Sequence, residues 1–259
     1  MNNIIIISVI LPTLNESQNI IPLIKELETQ LSSLKNKKFE IIVVDDDSKD
    51  LTWKIVEDYS HSLEENRPWI KVIRRISKRG LTSALNDGIT SATGDIVVWM
   101  DCDLSHPPKI VNQLVRGITD NNNNNNNNNK DVTAVVASRY VSGGSDARKG
   151  KYFFQKILSF TLYTLSKWFL KTPVRDITSG YLAIKKSALL EIGLLEGDYG
   201  EYFIDMLCKL AKKNHNIIEL PYTFKNRELG ESKTATNFGG YFFRGRKYLK
   251  VIFKHALRT

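Results

Sequence analysis

Three stretches of this 259-residue chain put carboxylates where they could do chemistry together. Asp101-Cys102-Asp103 follows the apolar run of 95–100, Asp45-Asp46-Asp47-Ser48 follows 39–44, and Glu16 follows 4–11 by way of Pro12-Thr13-Leu14-Asn15. Two carboxylates at i and i+2 can reach one hard cation and a ligand hydroxyl, and Mg2+ takes a few carboxylates together with phosphate oxygens. Each acidic stretch alone also matches a turn former or a helix cap. Their recurrence after successive buried strands is the stronger signal. Carboxylates clustered at one sheet edge are costly unless cations, donors or ligand hydroxyls satisfy them, and a divalent ion carrying a diphosphate does so. The pattern points to a nucleotide-diphosphate site.

The elements that must position these groups follow from periodicity. Short apolar runs alternate with helical patterns through the first half, the signature of a mostly parallel sheet. Strands are expected over 4–11, 39–44, 70–73, 95–100 and 132–137, with helices from about Glu16 and over about 52–64, 81–92 and 110–118. In the first helix Ile20, Leu23, Ile24, Leu27, Leu31 and Leu34 recur at spacings of three and four on one face. In open α/β sheets ligands bind outside the carboxyl ends of the strands, where the acidic groups fall. The second half predicts a long aromatic-rich helix over 151–171, strands over 180–184 and 217–222, a helix over 202–213 and a last basic helix. Asn121–Asn129 offer nothing apolar to bury and predict a disordered surface loop. The organisation expected is one unit over 1–237 and a basic amphipathic helix over 238–259.

Composition narrows the partners. The hydrophobic fraction of 42% supports a core, and the formal charge of +9 favours a negatively charged partner. No acidic residue follows Glu231, while Lys233, Arg244, Arg246, Lys247, Lys250, Lys254 and Arg258 do. Cys102 and Cys208 lack CxxC spacing, which argues against a disulfide framework or a thiolate zinc site and fits a reducing compartment. The apolar start lacks a basic n-region and reads as a strand, not a signal peptide. No apolar stretch reaches the roughly 18 residues of a spanning helix.

PTLNE (12–16), VVDDDSKD (43–50), RGLTSALNDGI (79–89), ATGDIVVWMDCDLSHPP (92–108), SRYVSGG (138–144), DITSGYLAIKK (176–186) and LPYTFKNRELGESK (220–233) occur in the order seen in family 2 glycosyltransferases. More narrowly, they resemble the dolichyl-phosphate (polyprenyl-phosphate) mannose synthases. The resemblance covers nearly the whole chain apart from the asparagine run. It implies a GT-A, Rossmann-like fold with GDP-mannose as donor, Mg2+ or Mn2+ as cofactor and dolichyl or polyprenyl phosphate as acceptor. Carried over by position, it implies nucleotide contacts from Pro12, Leu14, Glu16, Val44 and Asp46. Asp101, Cys102 and Asp103 would line the metal and diphosphate, with Asp101 and Asp103 as metal ligands. Arg139, Arg227 and Lys233 would hold phosphate groups, and Asp101, Asp103 and Arg139 would serve catalysis. The glycine usual after the DDxSxD element is Leu51 here.

Such a reaction needs little proton chemistry, because a phosphate oxygen is already an anionic nucleophile. Direct displacement with inversion is expected. A polyprenyl acceptor requires contact with a membrane surface. In the last helix Tyr241, Phe242, Tyr248, Leu249, Ile252, Phe253 and Ala256 form one face and the basic residues the other, a pattern of interfacial helices. The same pattern also describes a helix packed on its own domain. The expected setting is peripheral, on the cytoplasmic face of a membrane (endoplasmic reticulum in a eukaryote), with small membrane-anchoring subunits as further partners. Within the same chemistry the alternatives are glucose from UDP-glucose or a saccharide acceptor. Nucleic acid is not expected as a partner, since no such module is recognisable and acidic strand ends repel phosphate without a metal.

Overall fold

The computed structural model describes residues 4–63, 69–123, 131–150, 153–170, 172–227 and 238–257. In chain order it contains β1 (Ile5–Thr13), α1 (Ile20–Ser32), β2 (Lys37–Asp45), α2 (Thr52–His61), β3 (Trp69–Arg74), α3 (Leu81–Ser91), β4 (Ile96–Trp99) and α4 (Ile110–Asn123). Then come β5 (Val132–Ser138), β6 (Ser145–Asp146), α5 (Phe153–Phe169), β7 (Leu182–Lys185), α6 (Lys186–Ile192), α7 (Glu201–Lys212), β8 (Asn216–Pro221), β9 (Thr223–Phe224) and α8 (Phe238–Ala256).

Seven strands form one sheet in the order β3-β2-β1-β4-β7-β5-β8. Every pairing is parallel except those of β7, which runs against both β4 and β5. The carboxyl ends of β1, β2, β4, β5 and β8 therefore share one edge, and the loop leading into β7 arrives at the same edge. The expectation of a mostly parallel sheet flanked by helices is met.

Side-chain alternation along each strand divides the core into two layers. Ile7, Val9 and Leu11 of β1 face α1 and α4, packing with Leu23, Leu27, Leu114 and Val115. Ile10 faces the opposite way, with Val44, Leu85 and Leu207. The expected apolar stripe of α1 is buried, and Leu34 joins it from beyond the helix end.

Two differences from the expected elements have physical causes. Helix α4 continues through Asn123, so the first part of the asparagine run is helical; 124–130 lie outside the described residues. Asparagine in a helix costs no more than about 0.7 kcal/mol per residue against alanine, too little to stop an established helix at once. The pair β6–β9 and the seven-residue α6 were not expected, because two-residue strands and a helix of about two turns leave too short a pattern to read. Leu51 takes the left-handed conformation at φ 61° as the N-cap of α2.

Helix α8 spends part of its basic charge within the protein. Tyr248, Val251 and Ile252 pack into the core. His255 Nε2 lies 2.8 Å from Asp205 of α7, Lys254 reaches both Asp205 and Glu196, and Lys247 pairs with Asp198. Lys209 adds a third partner to Asp205 at 2.8 Å. Burial opposes the charge on Asp205, but bonds from His255, Lys209 and Lys254 outweigh it and hold the carboxyl well below its usual range. A depressed carboxylate stabilises the fold above its unfolded pKa, near 4, and that contribution is lost as pH falls below it. Asp205→Asn is expected to cost about 2 kcal/mol at neutral pH and to flatten the acid limb of a urea-denaturation series between about pH 4 and 2. Parallel acid limbs in the two proteins would contradict this.

Candidate functional site

The sheet edge opens into a cavity of about 660 Å3, within the range of small-ligand sites. Its lining includes Pro12, Leu14, Glu16, Asp46, Asp101, Cys102, Asp103, Arg139 and Arg227. Val44 is absent from that wall: it is fully buried in the core layer under α3. Lys233 lies outside the described residues.

Within the Asp45-Asp46-Asp47 stretch the roles divide. Asp45 is consumed locally, accepting from Thr13 Oγ1 at 2.8 Å, Ser48 N at 2.8 Å and Ser48 Oγ at 2.6 Å, and so closes the turn after β2. Asp46 reaches the cavity instead. It accepts from Gly80 N at 2.7 Å and pairs with Arg75 Nη1 at 3.1 Å. Gly80 holds φ 126°, which disfavours any residue with a Cβ. Burial lifts the Asp46 carboxyl above its ordinary pKa despite the Gly80 bond and Arg75.

The Asp-Cys-Asp segment is held from three directions. Cys102 Sγ donates to the Pro12 carbonyl at 3.4 Å. Asp103 Oδ1 accepts from Ser105 N at 3.0 Å and Ser105 Oγ at 2.5 Å. Its Oδ2 accepts from Arg227 Nη2 at 2.7 Å and Nε at 3.1 Å. Burial works against the Asp103 charge, but Ser105 and Arg227 overcome it and keep the carboxyl below its usual range. Arg227 Nη2 also lies 3.5 Å from Glu16 Oε1, while Asn19 Nδ2 donates to Glu16 Oε2 at 2.8 Å. Asp101 presents the most open carboxylate of the set, with its side chain 52% exposed.

Most of the cavity's charges divide by origin: Glu16, Asp46, Asp101 and Asp103 follow β1, β2 and β4, whereas Arg139, Arg148, Lys225 and Arg227 follow β5, β6 and β9; Arg79 after β3 and Asp198 before α7 are the exceptions. The two sets meet at the Arg227–Asp103 contact. Arg139 is less available than expected. Its Nε and Nη2 engage Asp176 at 2.8 and 2.7 Å, Nη2 also donates to Thr178 at 2.8 Å, and Nη1 lies 3.5 Å from Asp146.

Among the described residues no three acidic, His or Cys side chains gather around one metal position. Asp101 and Asp103 both line the cavity, and a cation held there would need phosphate oxygens of a ligand to complete its shell, in the manner usual for Mg2+.

The signature of Glycosyl transferase family 2 matches residues 8–193. This chain belongs to that family. It is 33% identical to a dolichol-phosphate mannosyltransferase of Pyrococcus furiosus over 88% of its length, and it spans 58% of that relative. It is 30% identical to the dolichol-phosphate mannosyltransferase of Saccharomyces cerevisiae, covering 88% of this chain and 80% of the yeast protein. Among solved structures it resembles the glucosyl-3-phosphoglycerate synthase of Mycobacterium tuberculosis with Mn2+, UDP and phosphoglyceric acid. There the TM-score is 0.66 at 19% identity, over 97% of this chain and 78% of the other. A mannosyltransferase of Pyrobaculum calidifontis with GDP-mannose and Mn2+ matches with TM-score 0.60 and 22% identity, over 98% and 64%. The fold is GT-A-like, as the sequence implied.

Three residues of this family 2 glycosyltransferase escaped the sequence reading. Arg75 braces Asp46, Arg148 lines the cavity, and His106 supports the Asp-Cys-Asp segment from beneath. His106 lies within the quoted DLSHPP motif, so its position was visible although its role was not. It is 1% exposed, stacks on Tyr181 at 4.8 Å and meets Tyr222 and Phe224 edge-on. Burial pushes its pKa down to about 4, so the ring is neutral at neutral pH and Nδ1 can accept the Asp101 N–H, 3.1 Å away. His106→Phe keeps a stacking ring but removes the acceptor. It is expected to lose about 2 kcal/mol in chemical denaturation, the cost of a stranded amide. Unchanged stability would show that the bond contributes nothing.

Proposed function

We propose that this chain transfers mannose from GDP-mannose to a dolichyl or polyprenyl phosphate, with inversion at the sugar. The observation that carries the reading is a cavity lined by carboxylates after β1, β2 and β4 and by arginines after β5, β6 and β9, in a family whose similar members include dolichol-phosphate mannosyltransferases. A nucleotide diphosphate bridged by a cation suits the acidic wall, and an anionic nucleophile suits the basic one.

In this reading Pro12, Leu14, Glu16 and Asp46 hold the nucleoside, and Asp101 and Asp103 hold Mg2+ or Mn2+ against the diphosphate. The bound ion would offset charge on the departing diphosphate. Arg227 is placed to share that charge once it turns from Asp103 to a phosphate oxygen. Lys233 is assigned the same task by motif alone. A phosphate oxygen of the acceptor forms the new bond to C1 of the sugar while the C1–O bond to the diphosphate breaks, its electron pair leaving with the diphosphate. No general base is needed, since the nucleophile carries its charge already. Arg139, locked to Asp176, shapes the basic wall more than it reaches for ligand.

The acceptor's tail makes contact with a membrane surface part of the proposal. No helix among the described residues is long and apolar enough to cross a membrane. Helix α5 lines the cavity with Leu158 and Leu162 while Phe153, Phe154, Ile157, Phe160 and Trp168 remain exposed. That apolar face supports α5, beside the basic α8, as the interfacial element. Two buried free cysteines suit the reducing, cytoplasmic side.

One experiment addresses donor, acceptor and membrane together. The protein is incubated with liposomes carrying polyprenyl phosphate and either GDP-mannose or UDP-glucose, with Mg2+ or EDTA, and the liposomes are also floated. The expected product is mannosyl-phosphate lipid from GDP-mannose alone, lost in EDTA and reduced at least about a hundredfold by Asp103→Ala, a loss typical of removing a charge-stabilising group. The protein should float with the liposomes. A glucosyl lipid from UDP-glucose would replace the sugar, and full activity of Asp103→Ala would refute the site.

A further inference from the structure

The basic wall contains one arginine whose geometry is unlike the others. After β5 the chain passes Arg139 and turns at Gly143-Gly144 into β6, which pairs with β9. A Cβ on Gly144 would lie 2.4 Å from the Ser138 carbonyl oxygen, so only glycine admits this close turn. The pairing buries Asp146, whose side chain is 4% exposed, between two guanidinium groups. Arg148 meets it through Nε at 2.9 Å and Nη2 at 2.5 Å, and Nη2 also donates to Ser159 of α5 at 3.1 Å. The guanidinium lies 5.0 Å from the Phe224 ring centroid.

These contacts fix one edge of the guanidinium and leave the other open. Among the described residues Nη1 of Arg148 has no hydrogen-bond partner, although the residue is only 8% exposed and lines the cavity. Arg148 lines the cavity, and Nη1 is the guanidinium nitrogen that these contacts leave unused. Arg139 differs, since its guanidinium is committed to Asp176 and Thr178 with Asp146 alongside. Arg148 is thus a pre-positioned cation with two unused N–H groups, held by Asp146 and Phe224 and next to Gln155, Leu158 and Leu162 of α5.

We propose that Arg148 anchors the phosphate monoester of the acceptor, with the apolar tail leading away along α5. The inference rests on the acceptor reading above and names the residue that holds its charged end. A guanidinium fixed along one edge donates charge-assisted bonds to phosphate at little entropic cost. The adjoining helix supplies what a lipid chain requires: Leu158 and Leu162 on the cavity side and Ile157 and Phe160 outside. A free phosphate would use the first feature and not the second.

The test removes the charge without stranding its partner. In the double variant Asp146→Asn/Arg148→Gln both charges go together, and Arg139 keeps Asp176. A second variant, Arg148→Lys, keeps charge but not the fork. The first readout is calorimetric binding of farnesyl phosphate, which requires no turnover; the second is the KM for farnesyl phosphate and for GDP-mannose. The double variant should bind farnesyl phosphate about tenfold or more weakly, the loss of roughly one charge-assisted bond, with unchanged KM for GDP-mannose and cooperative melting. Arg148→Lys should fall between it and the wild type. Inorganic phosphate should bind the wild type more weakly than farnesyl phosphate. Unchanged affinity for farnesyl phosphate, or an equal rise in both KM values, would overturn the assignment; equal binding of inorganic phosphate would remove the lipid. If the wild type binds farnesyl phosphate through Arg148 yet forms no product with GDP-mannose, the donor reading fails and the anchor stands.

Discussion

The arrangement depends on the contact between Arg227 and the carboxylates of Asp103 and Glu16. Parallel strands deliver acidic residues to one edge, and like charges gathered there repel unless something positive lies among them. Arg227 meets Asp103 with two donors and approaches Glu16 with one of them. Its own segment follows β9, so the contact ties the early strands β1 and β4 to the late-sequence half. Removing one partner of such a pair is costly because the other charge is left uncompensated. The same economy recurs at Arg75 with Asp46 and at Arg139 with Asp176.

Beneath this electrostatic layer the supports are stiff and mostly neutral. Ser105, Cys102 and His106 fix the Asp-Cys-Asp segment without adding charge. Asp45 spends its carboxylate on the turn that aims Asp46. The sheet therefore presents the carboxylates that line the cavity on a rigid edge.

Much of this was legible in the sequence, for reasons that can be named. Strand ends were visible because apolar runs stop at carboxylates, and α1 was visible because Leu23, Leu27 and Leu31 repeat with the helical period. Asp46, Asp101, Asp103 and Glu16 were found because motif and strand end coincide. Side-chain direction was not readable: Val44, adjacent to Asp45 in β2, faces the core layer under α3. Long-range partners were equally hidden. Asp176, which takes up Arg139, lies 37 positions away, and the β6–β9 pairing that aims Arg148 joins residues 78 positions apart. The amphipathic pattern of α8 fitted both a membrane surface and its own domain, and only packing reveals Asp205 as partner of Lys254 and His255.

On the proposed function, Asp101 and Asp103 would hold a divalent cation that makes the cavity a nucleotide-diphosphate site. Calorimetric titration of GDP, in Mn2+ and in EDTA, into the wild type and into Asp103→Asn measures this. Binding should be at least about tenfold tighter in Mn2+ than in EDTA for the wild type, with no such gain for the variant. Equal affinity for GDP in Mn2+ and EDTA in the wild type would contradict it.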